Sequence, residues 1–357
     1  MPASPGECST LKWHRNAALN VRHPWFASQL PKSGIQWPGG ERRPNAHAFP
    51  PARCDGSPHI SHTQVRTMKL FKSPLKPLLA MTGAMGIAAA LHAAPASAAE
   101  LWQTLPPTPA PAKFDRTGFA NVNGIRLYNA EVGKGSPVLL LHGGLANSNY
   151  LAKQVDALKA HHLVIAVDTR GHGRSTRDDR PYGYDLMADD VVALLDQLHI
   201  KKADVVGWSD GAIQGIDLAI RYPDRVGKIV AFGVNTNTDG LKPDFDKNPV
   251  FAAYIKRAAG EYAQLSSTPK EYDAFLAQIG KMWDSQPNWT DAQLKTIKSK
   301  VLILDGEHDE GIKLEHNIYM AHTIPGAQLM ILPGVSHFAF IQDPKMFNYA
   351  ITHFLDN

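Results

Sequence analysis

The sequence predicts an α/β fold built on a doubly wound, mostly parallel sheet with an inserted helical cap. Short apolar runs alternate along the chain with segments of helical periodicity, and this alternation is typical of parallel sheets. The runs are almost continuously apolar, as expected of strands that are buried on both faces. The predicted strands cover residues 138–142, 163–168, 203–208, 228–232, 301–305 and 328–333.

A β-hairpin and an inserted segment complete the predicted fold. Two short runs flank Asn123-Gly124, a dipeptide that favours a tight hairpin turn. Between about residues 235 and 299 the strand–helix rhythm stops and the chain becomes polar and aromatic. We interpret this segment as a helical cap over the carboxyl edge of the sheet, where open α/β folds bind ligands. Helices are expected at 184–198 and 213–221 beside the sheet, and near 250–263, 269–283 and 290–298 within the cap.

Residues 68–98 have the three parts of a secretory signal peptide. A lysine-containing start is followed by a short apolar run and then by Ala96-Ser97-Ala98, whose small side chains suit the signal peptidase. The apolar run is short for a bilayer span, so we expect a cleaved signal rather than a membrane anchor. Cleavage is expected after Ala98, which predicts a periplasmic or secreted protein with no stable membrane association.

The segments on either side of this signal are predicted to lack a core. Residues 1–67 are rich in Pro, Arg and His and show no sustained apolar periodicity, so we interpret them as a disordered or non-native extension. Our hypothesis is that translation begins at Met68. Residues 99–113 are Pro-rich and are predicted to form an extended tether. The folded domain is then expected at residues 114–357.

Charge and cysteine content exclude several classes of function. Residues 99–357 carry 26 basic and 30 acidic side chains, so the part expected to fold has no excess of positive charge for nucleic acid. The cysteines are Cys8 and Cys54, which excludes a disulfide scaffold or a thiolate zinc cluster. No dinucleotide loop, phosphate loop or helical His pair is present, so we expect neither a cofactor nor a metal.

A candidate nucleophile lies in the segment Gly207-Trp208-Ser209-Asp210-Gly211. This segment falls where a predicted strand ends and a helix begins. A serine on such a tight turn projects its hydroxyl outward, and the flanking glycines avoid the clashes that side chains would cause. Ser209 is therefore the predicted nucleophile, although a serine that only caps the helix is the structural alternative.

A serine nucleophile needs a base, and the base needs an acid that orients it. In a strand–turn–helix arrangement the three residues follow in the order Ser, Asp or Glu, His. Asp309 and His337 lie in the loops after the last two predicted strands, at the same sheet edge as Ser209. They are the predicted acid and base.

Other acids and histidines compete for these roles. Asp239 stays an alternative acid, whereas Asp305 ends its strand and Glu307 is expected to face solvent. His308 is interpreted as a loop side chain. The histidines in helical stretches, which we expect at the surface, are His316, His322 and His353.

The predicted oxyanion hole consists of two backbone N–H groups. One belongs to Asp210, directly after the nucleophile, and the other to the loop that begins His142-Gly143-Gly144-Leu145. Gly144 is the preferred donor, with Leu145 left open. Aromatic side chains that could line a pocket under the cap are Trp208, Tyr150, Trp283, Trp289 and Phe338.

From about residue 114 onward the chain resembles the α/β-hydrolase-fold serine hydrolases. The matching segments read LLLHGGLANS, DTRGHGRS, GWSDGA, VLILDGEHD and GVSHFAF. The GWSDG segment is similar to that of valacyclovir-hydrolase-like (biphenyl-hydrolase-like) esterases. The resemblance implies a catalytic triad of Ser209, Asp309 and His337, with oxyanion donors Gly144 and Asp210. The chain departs from this pattern in its export signal and in Ala212, where close relatives often have a third glycine.

The expected function is hydrolysis of small to medium carboxylic esters, aromatic ones included, through an acyl-enzyme. The expected partner is thus a small-molecule ester. A lactonase, a thioesterase or an acyltransferase would use the same triad, so these alternatives stay open. A non-catalytic binding protein on the same scaffold is a further alternative, against which the retention of all three triad residues argues.

Overall fold

The structure, a computed structural model, describes residues 99–357. The predicted signal peptide and the extension before it lie outside the described residues. Ala99, the first residue after the predicted cleavage site, is the first described residue. The strands are β1 (Arg116–Val122), β2 (Ile125–Val132), β3 (Ser136–Leu141), β4 (His162–Val167), β5 (Ala203–Trp208), β6 (Val226–Phe232), β7 (Val301–Gly306) and β8 (Gln328–Leu332).

Helices lie between and after these strands. They are α1 (Ala152–Leu158), α2 (Tyr184–Gln197), α3 (Asp210–Arg221), α4 (Pro249–Leu265), α5 (Tyr272–Trp283), α6 (Asp291–Leu294), α7 (Leu314–Thr323), α8 (Ala339–Gln342) and α9 (Pro344–Asp356). Among the described helices, none is long and apolar enough to cross a membrane.

The eight strands form one sheet in the order β1-β2-β4-β3-β5-β6-β7-β8. β2 pairs antiparallel with both β1 and β4, and the remaining pairs are parallel. The predicted mostly parallel, doubly wound sheet is therefore confirmed. The predicted hairpin is also present, because Asn123 and Gly124 both adopt the positive φ angles that a tight hairpin turn needs.

The central strands are buried on both faces, which explains their continuous apolar runs. In β3, Val138 and Leu140 contact one apolar cluster, whereas Leu139 and Leu141 contact another on the opposite face. Each of these four side chains is almost completely inaccessible to solvent. Burial of this kind contributes roughly 1.5–3 kcal/mol per large apolar side chain, so the sheet is a firm base for the loops at its carboxyl edge.

Helices α4, α5 and α6 lie in the segment between β6 and β7. We call the stretch at residues 235–299 the cap. Its helix α4 begins at Pro249, and the side chain of Asn248 caps the helix by accepting a hydrogen bond from the backbone N–H of Val250. Buried side chains of α4 and α5 pack against the sheet domain, as Tyr254, Phe275 and Ile279 do.

The Pro-rich stretch before β1 is extended, as predicted, and it also packs on the domain through hydrogen bonds from distant side chains. Arg257 of α4 donates hydrogen bonds to the carbonyl oxygens of Leu105 and Pro106 at 3.0 and 2.6 Å. Gln342 donates to the carbonyl oxygen of Thr104 at 2.8 Å. An extended Pro-rich segment exposes its carbonyl groups because it makes no internal hydrogen bonds, and these side chains bind them.

Candidate active site

Ser209 occupies a sharp turn between β5 and α3. Its backbone has φ 52° and ψ −119°, an unfavourable conformation for a residue with a side chain. The backbone N–H of Ser209 donates to the carbonyl oxygen of Phe232 at 2.8 Å, which ties the turn to β6. A Cβ atom on Gly207 or Gly211 would overlap neighbouring backbone atoms, so the turn needs glycine at both positions. Helix α3 begins at Asp210, three residues earlier than the sequence predicts.

His337 and Asp309 form a buried hydrogen-bonded pair. Nδ1 of His337 donates to Oδ2 of Asp309 at 2.6 Å, and both side chains are buried. Since Nδ1 is engaged in this way, Nε2 is the ring nitrogen left to exchange a proton. His337 and Ser209 line the same pocket at the carboxyl edge of the sheet. The geometry thus brings together the three residues singled out as nucleophile, acid and base.

The carboxylate of Asp309 is held in its ionised form. Its Oδ1 accepts hydrogen bonds from the backbone N–H groups of Gly311 and Ile312 at 2.6 and 2.7 Å. Burial alone would raise the pKa of Asp309, but the charge of His337 and these hydrogen bonds outweigh burial and lower it to about 2. Asp309 therefore carries a negative charge at neutral pH.

The same charge acts on His337. Burial by itself would lower the pKa of His337, but the negative charge of Asp309 and the hydrogen bond outweigh burial and raise the pKa above its ordinary value. Glu310, from the same loop as Asp309, accepts a hydrogen bond from the backbone N–H of His337 at 2.9 Å. A base with a raised pKa accepts a proton more readily, and it becomes protonated and inactive as the pH falls.

The competing acids and histidines lie elsewhere or have other partners. Asp239 is exposed and does not line the pocket, and the carboxylate of Glu307 binds the backbone N–H of Gly334. His308 stacks on Trp102 with ring centroids 4.5 Å apart. His322 and His353 are exposed, as expected.

His316 differs from the expectation of a surface residue. Its side chain is buried, and Nε2 accepts a hydrogen bond from the backbone N–H of Thr236 at 3.0 Å. Burial lowers the pKa of His316 to about 4, so the ring is neutral at physiological pH. Its helical position gave no signal of this contact, because Thr236 precedes it by 80 residues in the chain.

The two predicted oxyanion donors line the pocket beside Ser209. The N–H of Gly144 belongs to the same peptide group as the carbonyl oxygen of Gly143. Hydrogen bonds to this oxygen therefore fix the direction of the N–H. Nδ1 of His142 donates to that oxygen at 2.7 Å, and the backbone N–H of Ala146 donates to it at 3.2 Å. Leu145, the alternative donor, is buried in the apolar core and does not line the pocket. The geometry therefore favours Gly144.

Cap side chains hold both residues of the predicted oxyanion hole. The hydroxyl of Tyr254, on α4, donates to the carbonyl oxygen of Gly144. Nε1 of Trp283, on α5, lies 3.0 Å from each carboxylate oxygen of Asp210, and the hydroxyl of Tyr184 donates to Oδ1 at 2.9 Å. Burial raises the pKa of Asp210 to about 6 although these donors favour the anion.

The pocket is narrow and mainly apolar, with an empty volume of about 600 Å³ that includes space open to solvent. Besides Ser209 and His337, it is lined by one carboxylate side chain, Asp210, and two amide side chains, Asn235 and Gln286. None of the described residues that line it is Lys or Arg. No group of His, Cys, Asp and Glu suited to a metal ion occurs within residues 99–357.

Only part of the predicted aromatic lining is present. Trp208 and Trp283 line the pocket, but Tyr150, Phe338 and Trp289 do not. Tyr150 and Phe338 are fully buried and pack against Trp208 with ring centroids 5.7 and 5.8 Å apart. Trp289 is half-buried and lies beside a separate surface depression. Large rings gain most free energy where they are completely enclosed, which these positions provide for Tyr150 and Phe338.

Several pocket residues were missed by sequence reasoning. They are Tyr184, Ile213, Leu241, Phe245, Phe251, Tyr254 and Ile312, together with the polar residues Asn235 and Gln286. Five of them lie between residues 235 and 260 and a sixth, Gln286, lies further along the predicted cap, so the position of the cap over the sheet edge was the available signal. The sequence did not indicate which faces of the cap helices are directed toward Ser209.

Comparisons with known proteins identify the family. A family model for the α/β-hydrolase fold matches residues 136–270. The chain is 30% identical over 250 residues to a putative carbamate hydrolase from Caulobacter segnis, covering 62% of this chain and 92% of that protein. It is 28% identical over 248 residues to the mouse serine hydrolase BPHL, covering 66% and 84% of the two chains. This last similarity confirms the resemblance given by the GWSDG segment.

Two further matches differ in chemistry. A 2-hydroxymuconate semialdehyde hydrolase from Pseudomonas sp. strain CF600 is 29% identical over 259 residues, covering 65% of this chain and 91% of that protein. The enol-lactonase from Burkholderia xenovorans LB400 has a similar structure, with a TM-score of 0.56 and 23% identity over 67% of this chain and all of that one. The latter similarity establishes the shared fold.

Proposed function

The chain is a hydrolase that belongs to the α/β-hydrolase family, and on this premise we propose that it cleaves small, uncharged carboxylic esters through a Ser209-His337-Asp309 triad. The observation that carries the proposal is the buried hydrogen bond of 2.6 Å between His337 and Asp309, at the rim of the pocket that Ser209 also lines. This arrangement matches the requirements of a serine nucleophile, namely a neighbouring base and an acid that orients the base.

The reaction has two steps. Nε2 of His337 takes the proton of the Ser209 hydroxyl while the oxygen attacks the ester carbonyl carbon, and the negative oxygen that forms is bound by the N–H groups of Gly144 and Asp210. His337 then gives the proton to the departing alkoxide, and the alcohol leaves an acyl group on Ser209. Water, deprotonated by His337, hydrolyses this acyl-enzyme and restores the serine.

The pocket lining supports an uncharged substrate. Most of its side chains are apolar, and its one carboxylate, Asp210, repels anions. The 2-hydroxymuconate semialdehyde of one relative is itself a carboxylate. Binding such a substrate needs a cation to compensate its charge, and none of the described lining residues supplies one. We therefore favour neutral esters over anionic substrates of carbon–carbon bond hydrolysis.

A lactone is the second candidate substrate. A lactone is an internal ester, so the same triad and oxyanion hole would open it, and the similar fold of an enol-lactonase supports this candidate. The products distinguish the two reactions, because a lactone gives a single hydroxy acid whereas an open ester gives an acid and an alcohol.

A fluorophosphonate probe tests the nucleophile. We expect it to label the purified protein on Ser209 and to leave Ser209→Ala unlabelled, with a panel of p-nitrophenyl esters and lactones measured in parallel. The matched control is Ser175→Ala, another buried serine in a loop at the sheet edge, which should label normally. Absence of labelling in the folded wild-type protein would favour a non-catalytic binder.

We also propose that the protein is exported, on the basis of the signal pattern at residues 68–98. Cell fractionation with N-terminal sequencing tests this proposal. The expected mature N-terminus is Ala99, and a mature chain that retains Trp13 or Trp25 would contradict both export and translation from Met68.

A further inference from the structure

Three buried acidic side chains occur within six residues of each other, in the strand and loop that present Asp309 to His337. Asp305 ends β7, and Asp309 and Glu310 follow in the next loop. Their exposed fractions are 1%, 2% and 7%, so all three carboxyl groups are buried. The triad needs only one of them, Asp309. Glu310 binds the backbone of His337, whereas Asp305 has no role in the mechanism given above.

The side chains of Asp305 and Asp309 are buried neighbours, close enough for each carboxyl group to act on the other and to share a hydrogen bond. A hydrogen bond between two carboxyl groups needs a proton on one of them, because two carboxylates offer only acceptors. Two ionised carboxylates in contact in a buried site would also repel each other strongly, and paired acids of this kind hold one proton between them. The remaining question is which of the two holds it.

The hydrogen-bond donors around Asp305 and Asp309 indicate which of the two carboxyl groups holds the proton. Asp309 accepts two backbone N–H bonds and the Nδ1–H of His337, and each of these stabilises the anion. Asp305 is bound by neutral donors, the backbone N–H of Gly306 at 2.9 Å and the side-chain amide of Asn317. Burial and the neighbouring charge of Asp309 raise the pKa of Asp305 well above its ordinary value, in agreement with this assignment.

We propose that Asp305 is a protonated positioning residue that donates a hydrogen bond to the triad acid Asp309. The proposal rests on the proposed function in one respect, the assignment of Asp309 to the triad. Asp305 supplies a donor to Asp309 without a second negative charge. If both acids were ionised, His337 would face two negative charges besides Glu310, its pKa would rise further, and less of the base would be free at neutral pH.

The other charged groups that face Asp305 and Asp309 are the same in wild type and in variants of Asp305. Glu310 lies in the same loop, and Lys242, from the cap, binds the backbone oxygen of Asp309 at 2.6 Å. Asp210 acts on His337 from the start of α3. From α7, the contact is the neutral Asn317.

Asp305→Asn is the discriminating variant because it resembles a protonated aspartic acid. Its amide N–H can donate to Asp309 and its carbonyl can accept from Gly306. The Oδ1 atom of Asn317 is buried with no hydrogen-bond partner among the described residues, so the amide of Asn317 can turn and accept the second N–H of the new asparagine. The variant is therefore expected to fold and to keep the local hydrogen bonds.

Infrared difference spectroscopy at neutral pH tests the proton directly and does not depend on activity. Wild type minus Asp305→Asn should show the carbonyl stretch of one protonated carboxylic acid and no lost carboxylate band. Glu307→Gln, which changes an exposed acid in the same loop, is the matched control and should lose a carboxylate band. Loss of a carboxylate band in Asp305→Asn would overturn the proposal.

The pH profile of kcat/KM tests the positioning role. In Asp305→Asn the acid limb should stay within about 0.3 pH unit of wild type, whereas in Asp305→Ala it should move to higher pH and the rate at pH 7 should fall about tenfold, because Asp309 loses a donor. A shift of about one unit or more to lower pH in Asp305→Asn would mean that a charge was removed, which contradicts the proposal. If wild type is inactive on every ester, the proposed function fails, and the infrared result still decides the state of Asp305.

Discussion

The sheet edge and the cap supply different things to the same pocket. The loops after β5, β7 and β8 present Ser209, Asp309 and His337, and each loop is fixed by backbone hydrogen bonds. The cap supplies mainly apolar walls, and its side chains Tyr254 and Trp283 make polar contacts with residues beside Ser209.

These two cap side chains bind residues of the predicted oxyanion hole rather than the triad. Tyr254 holds the carbonyl group of Gly144, and Trp283 holds the carboxylate of Asp210. In the proposed mechanism, proton transfer therefore depends mainly on the sheet edge, whereas oxyanion binding and substrate selection also depend on the cap. Three substitutions test this division, in order of decreasing expected effect.

The largest effect is expected at Asp309. In Asp309→Asn the amide would stabilise the wrong tautomer of His337, so turnover should fall by a factor on the order of 10⁴ while KM changes little. The same variant should also move the acid limb of the kcat/KM profile to lower pH, because the negative charge that raises the pKa of His337 is gone. Steady-state kinetics between pH 5 and 9 give both results, and a loss of less than tenfold would move the acid role elsewhere.

A smaller effect is expected when the cap releases Gly144. Tyr254→Phe removes the hydroxyl that holds its carbonyl group, so the oxyanion donor is less well oriented, and kcat should fall about tenfold with KM nearly unchanged. Tyr262→Phe, on the same helix, is the matched control because its hydroxyl binds Thr268 instead. Equal losses in the two variants would mean that the cap acts through stability alone, which thermal unfolding would reveal.

The smallest effect concerns substrate charge. Above pH 6 the ionised Asp210 should disfavour p-nitrophenyl hemisuccinate relative to the neutral butyrate ester, and Asp210→Asn should improve the ratio of the two kcat/KM values about three- to tenfold. In wild type the ratio should change as the pH passes about 6, and in the variant it should be independent of pH in this range. An unchanged ratio would show that Asp210 does not act on substrate charge.

Sequence reasoning succeeded where local rules are strong. The six predicted parallel strands are present within a few residues of their predicted bounds, because strands buried on both faces are apolar throughout. The turn at Ser209 was predictable for a similar reason, since glycine is needed on both sides of it. That Asp309 and His337 lie next to each other followed from the rule that loops at the carboxyl ends of parallel strands meet at one edge.

Prediction from the sequence failed for features that depend on contacts between segments far apart in the chain. Tyr150 and Phe338 were expected in the pocket but lie in the core, whereas Phe251 and Tyr254 of the cap line it. An aromatic side chain has the same local pattern in both settings, so only the packing of the cap on the sheet separates them. The Pro-rich stretch has no core of its own, and its contacts with Arg257 could not be inferred from its composition.

The sequence by itself determined the order of strands and helices and the turn that carries Ser209, because each depends on residues that are neighbours in the chain. It also placed the candidate acid and base in the loops that follow the last two strands. The tertiary structure alone decided which cap side chains reach Gly144 and Asp210, and which of two adjacent acids keeps a proton. Those outcomes depend on burial and on hydrogen bonds between segments that are far apart in sequence, and such contacts exist only once the chain has folded.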